Sequence, residues 1–111
     1  MSYQINITRN AEHDLKNAAL YIAETLGSSV AAVRLLDKAN EVLSSLADFP
    51  KRNGLVRDAF LAENGVRMQM INNYLAFYVI REETQSVTVL RVLNSRRDWV
   101  SLLHKNISSG D

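Results

Sequence analysis

Apolar and polar residues alternate through Tyr3-Gln4-Ile5-Asn6-Ile7-Thr8, the period-two signature of a half-buried strand. The period then lengthens. Ala11, Leu15, Ala18, Ala19, Ile22 and Leu26 recur at helical spacing through residues 10–26, and Thr8 or Asn10 offers an oxygen to cap the first free N–H groups. Gly27 stops that helix, because glycine reaches the left-handed conformation cheaply. Ser28 or Ser29 starts a second, with Ala32, Leu35, Leu36, Ala39, Val42, Leu43 and Leu46 on one face. So short a connection predicts an antiparallel helical hairpin, which Phe49-Pro50 closes.

Residues 51–64 keep no sustained period and read as a loop with room for one helical turn. Three strands follow. Val66–Ile71 meets Tyr74–Arg81 across Asn72-Asn73, a pair that tolerates the positive φ of a tight hairpin. Glu82-Glu83-Thr84-Gln85 turns the chain into Ser86–Leu93, whose β-branched residues favour a strand. Asn94 through Lys105, with Trp99, Leu102 and Leu103, predicts a short closing helix. Strand, helical hairpin, three-strand meander and closing helix together predict an α+β fold with helices on one face of an antiparallel sheet. In this reading residues 1–105 make a single domain and 106–111 a loose tail, including Ser108-Ser109-Gly110-Asp111. The opposite sheet face, rimmed by the loop after the second helix and by the C-terminus, is then open and is the place to look for function.

Composition acts mainly by exclusion. A chain of 111 residues, 47% of them hydrophobic, suits one domain and excludes wholesale disorder. With no cysteine there is no disulfide framework and no thiolate metal site. Met1–Ile5 lacks the basic segment and apolar run of a secretory signal, and no apolar stretch approaches the roughly 20 residues that cross a bilayer. A cytoplasmic location without a membrane partner is expected. Asn106-Ile107-Ser108 spells a glycosylation sequon, which has no use in a protein that is not secreted.

The net charge of +1 hides an asymmetry. Residues 1–48 carry four basic and six acidic side chains, and residues 49–111 carry nine basic and six acidic. Seven of those nine are arginines, suited to bidentate contact with phosphate or carboxylate, so the second half is the one that permits an anionic partner.

Most catalytic patterns are missing. His13 and His104 stand far apart with no second ligand at metal spacing, and glycines 27, 54, 65 and 110 are too scattered for a phosphate loop. Neither a metal nor a cofactor is expected. What remains is arginine and tyrosine on and beside strands. Arg67 and Gln69 give one strand a polar face. Arg91 stands between apolar Val89 and Leu93, where a charge needs solvent, a carboxylate or a ligand. Asp98 and Asp58 are its candidate structural partners. Tyr74 and Tyr78 share one parity of the middle strand, and sheet packing with a hydroxyl at the rim competes there with a binding role. Lys51, Arg52 and Arg57 line the loop, either as solvated charges or as a phosphate-binding edge.

Taken in order, several segments resemble the RelE/ParE superfamily of bacterial type II toxin–antitoxin toxins along nearly the whole chain. They are Ala11…Asp14-Leu15 leading to Tyr21-Ile22-Ala23, Leu46…Phe49-Pro50, Val56-Arg57-Asp58 and Gly65-Val66-Arg67-Met68. Asn73-Tyr74-Leu75-Ala76-Phe77-Tyr78 and Glu82-Glu83 follow, and Val89 through Trp99 ends the match. The resemblance implies a growth-arresting toxin held by a cognate antitoxin, whose helix and extended stretch would wrap its apolar and basic surfaces. Two targets divide the family. RelE-like members cut messenger RNA on the ribosome with basic residues and often a late tyrosine. Here Leu75 replaces the arginine that often follows the tyrosine matched by Tyr74, and Val100-Ser101-Leu102-Leu103-His104 has no tyrosine. If the chain were such a nuclease, Arg67, Arg91, Arg97 and His104 are the catalytic candidates. ParE-like members instead inhibit DNA gyrase by binding, and the long hairpin with the Arg91…Trp99 ending looks more like this branch. Arg96, Arg97 and Trp99 are then the contact candidates, while Trp99 also fits a plug that anchors the last segment. A toxin fold kept only as a binding module is the third possibility.

Overall fold

The computed structural model describes residues 2–108. β1 (Gln4–Ile7) is the predicted first strand, and the chain leaves it at Thr8. The Thr8 hydroxyl caps α1 (Arg9–Leu20) by accepting the Ala11 N–H, and it reaches the Val89 and Leu90 carbonyls at 2.9 and 3.0 Å. The next turn, Tyr21–Thr25, is π-helical: the Leu26 N–H reaches back five residues to the Tyr21 carbonyl at 3.2 Å. Gly27, at φ +70°, ends it, and Ser28 caps α2 (Ser29–Ser45) at the Ala31 N–H.

β2 (Arg67–Ile71), β3 (Tyr74–Arg81) and β4 (Ser86–Asn94) make the predicted antiparallel meander, with Asn72 at φ +53° and Gln85 at φ +50° in its two turns. The sheet order is β1-β4-β3-β2, and β1 runs parallel to β4 with Ile5 opposite Val87. The sheet is therefore mixed and not wholly antiparallel. The hairpin explains this, because a parallel neighbour requires a long crossover and two helices supply one.

Two cores result. On one face Ala11, Ala18, Leu35, Ala39, Leu43 and Leu46 of the hairpin region meet Ile71, Ala76, Tyr78, Val87, Val89 and Val92. The other face, expected to be open, is covered. α3 (Ala59–Glu63), formed inside the predicted loop and capped by Asp58, and α4 (Trp99–Ser108) bury Leu75, Phe77, Val79, Leu90 and Leu93 beneath Leu61, Leu103 and Trp99. β3 and β4 are apolar at both parities, so both faces need cover. α4 begins five residues after the predicted Asn94, since β4 continues through Asn94, and it extends past the expected boundary at Lys105. Ile107 packs into the second core; residues 109–111 of the expected tail lie outside the described residues. Among the described residues no helix is long and apolar enough to cross a membrane.

Candidate functional site

A bulge decides where Arg91 goes. Phe77 faces Arg91 but Tyr78 faces Val89, which leaves Leu90 as an extra residue in β4. Alternation is thereby reset: Val87, Val89 and Val92 face the hairpin while Leu90 and Leu93 face α4. Beyond Ile7 the edge of β4 loses β1, and α1 takes its place. Asp14 of α1 accepts from the Val92 N–H at 2.9 Å and from Arg91 Nε and Nη2 at 2.7 and 2.8 Å. These bonds raise the Arg91 guanidinium above its ordinary pKa against the opposing effect of burial. The partner is thus neither Asp98 nor Asp58. Asp98 is held by Ser101 at the start of α4, and Asp58 caps α3.

A cleft of 370 Å³ opens beside this clasp, lined by Asp14, Asn17, Tyr21, Tyr74, Asn94 and Arg97. It brings together Tyr74 and Arg97 from the predicted set. Tyr78 is elsewhere, fully buried, its hydroxyl donating to the Pro50 carbonyl at 2.6 Å and accepting from Asn53 at 3.2 Å. Burial raises that phenol's pKa. Arg96 lies exposed in the turn before α4, its backbone N–H bonded to the Asn94 side chain. Trp99 packs as the plug, its ring 4.9 Å from Phe77 in the second core, and it also lines a 400 Å³ cleft with Asn53, Leu55, Arg57 and Met68.

The loop cations divide in the same way. Arg52 caps the end of α2 through Phe49 and Ser45, and Arg67 donates to the Asn53 carbonyl at 2.5 Å. Both are structural ties. Lys51 makes only a 3.9 Å exposed pair with Glu82, and the Arg57 side chain has no partner among the described residues. His104 is half-buried, with Nε2 2.7 Å from Asp58 and its ring 4.6 Å from Phe60. The Leu61 N–H first, and His104 second, hold the Asp58 carboxyl below the usual range. Among the described residues no three histidine, cysteine or acidic groups converge on a metal position.

An apolar concave surface lies on the hairpin. Ile7, Leu15, Ala19, Leu20, Ala23, Ala32, Val33 and Leu36 line a 560 Å³ groove with only Glu12, Lys16 and Ser29 as polar lining. Periodicity assigns most of these residues to helices but cannot say that this stripe stays uncovered. Asp14, Asn17 and Tyr21 were also missed as site residues, although their i, i+3, i+7 spacing on one helix face was a usable signal.

Residues 5–99 match the family model for the ParE toxin of the type II toxin–antitoxin system, parDE. The chain belongs to the ParE toxin family. No curated protein sequence matches it. Among solved structures, this ParE-family chain is similar to a chromosomal ParDE system from P. aeruginosa, with a TM-score of 0.69 and 17% identity over 84% of this chain and 96% of the other. It is also similar to the RelBE2 toxin–antitoxin complex from Mycobacterium tuberculosis, with a TM-score of 0.59 and 20% identity over 85% and 92%. A free E. coli RelE toxin carrying two arginine-to-alanine changes gives a TM-score of 0.61 at 14% identity over the whole of both chains. At these identities the structural likenesses show the fold, and the ParE assignment rests on the sequence match.

Proposed function

We propose that this toxin acts by binding DNA gyrase, and that a cognate antitoxin neutralises it by laying an apolar helix on the hairpin groove. What stands at the ribonuclease positions carries the reading. Leu75, in place of an arginine, is buried at 6% exposure beneath α4, and no tyrosine occurs on α4. A nuclease of this superfamily needs preorganised cations around a phosphate in transit. Here Arg67 is committed to Asn53 and Arg91 to Asp14. A binding surface remains in the turn into α4, where Arg96 and Arg97 are exposed beside Trp99, the residue types that dominate interface energetics. Purified gyrase is expected to lose supercoiling activity when the chain is added, and the Arg96→Gln/Arg97→Gln double variant to restore most of it. Full inhibition by that variant would remove these residues from the surface.

His104 favours a second reading. Its 2.7 Å bond to Asp58 is the arrangement by which a carboxylate orients a general acid or base, which a ribosome-dependent messenger RNA endoribonuclease requires. Phe60 and the α3 cap account for the same contacts as packing, which is why this reading comes second.

A further inference from the structure

The cleft between α1 and the ends of β3 and β4 is assigned no part in gyrase binding or antitoxin capture apart from Arg97. We propose that it binds one nucleotide unit, with the base against Tyr21 and Tyr74 and the phosphate on Arg97. Three observations carry this. The first is local geometry: Tyr21 opens the only π-helical turn among the described residues, and its side chain stands 53% exposed at the mouth of the cleft. An i→i+5 turn is rare in proteins and concentrates at functional sites.

The second is charge. Asp14 in the floor is neutralised by Arg91 and satisfied by the Val92 N–H, so Arg97 supplies the cleft's uncompensated charge. An anion is favoured there and a cation is not. The third is hydrogen-bonding capacity. The side chains of Asn17, Tyr21, Tyr74 and Arg97 have no protein partner among the described residues. Tyr21 offers an exposed π-face, and Tyr74 lines the cleft with a ring partly packed on the first core. Asn17 offers an amide edge and Arg97 a fork, and together these are the parts by which single-stranded nucleic acid is held. A cleft of 370 Å³ falls in the range of small-ligand sites.

The test needs no gyrase, so it stands or falls apart from the target reading. Purified full-length chain is titrated by fluorescence anisotropy with short labelled single strands of RNA and DNA, and by calorimetry with adenosine and uridine monophosphates. Tyr21→Ala and Arg97→Gln should each weaken binding by about fivefold or more, the lower end for loss of one base stack. Tyr21→Phe should retain binding, and Arg34→Gln, exposed on α2 away from the cleft, should change nothing. Tighter binding of RNA would identify the 2′-hydroxyl as part of the ligand, and equal binding would identify any single strand. Absence of binding, binding unchanged in Tyr21→Ala, or equal displacement by a glutamate-rich peptide would each overturn the proposal. All of these side chains are exposed, so unchanged melting curves verify that the variants fold.

Discussion

At the scale of single residues, Asp14 joins α1 to β4 by a bidentate pair to Arg91 and by a bond to a strand N–H that β1 no longer covers. Its side chain is 9% exposed and that of Arg91 18%, so removing either partner strands a desolvated charge. Asp14→Ala should cost about 3 kcal/mol, and a drop in melting temperature on the order of 10 °C follows for a domain of this size. Asp14→Asn, which keeps an acceptor for Val92, should cost less. A loss below about 0.5 kcal/mol in denaturant titration would place the pair among inconsequential surface bridges. Asp58 makes a pH prediction. Its folded pKa is depressed, so its contribution is complete above its unfolded pKa, near about 4, and fades as pH falls through the folded value. Asp58→Asn should flatten the loss of stability on acidification below pH of about 4, measured by chemical denaturation across that range. An unchanged acid limb would contradict the capping role. The sequence shows Arg91 to be out of place among apolar neighbours. It cannot name Asp14, which lies 77 positions away and becomes adjacent only because the bulge and the crossover bring α1 to that edge.

At the scale of elements, period identifies the strands and the hairpin, and residue type narrows the caps to Thr8 or Asn10 and Ser28 or Ser29, of which the fold uses Thr8 and Ser28. It gives α3 only as one turn's worth of room in a loop, because five residues are too few to show a helical repeat. The parallel seating of β1 was missed because alternation describes a strand's faces and says nothing of its neighbour. The second covered face was nonetheless legible: Leu75, Phe77 and Val79 alternate with Ala76 and Tyr78, and a strand apolar on both sides asks for two layers. The hairpin's outer stripe makes the element-scale prediction. Val33 is 57% exposed and Leu36 42%, both within the groove, so a glutamate there should leave the fold intact. Val33→Glu/Leu36→Glu should weaken capture by the cognate antitoxin proposed above by about 100-fold or more, as two buried apolar anchors imply. Undiminished binding in calorimetry would place the antitoxin elsewhere.

At the scale of the whole molecule, the sheet is sealed on one face by the hairpin and on the other by α3 and α4, so the accessible chemistry is pushed to the rims. One rim is apolar, along α1 and α2. Another is polar and cationic, where β3 and β4 end and the chain turns through Arg96 and Arg97. The mild excess of positive charge in the second half of the sequence pointed toward that end, although much of it is spent internally by Arg52, Arg67 and Arg91. Under the function proposed above, a toxin built this way acts through what it binds. Paired assays on one preparation test this most directly: gyrase supercoiling and translation-dependent cleavage of a reporter message, each with the chain added. Supercoiling is expected to be lost while the message stays whole; a cut message with supercoiling intact would contradict inhibition by binding.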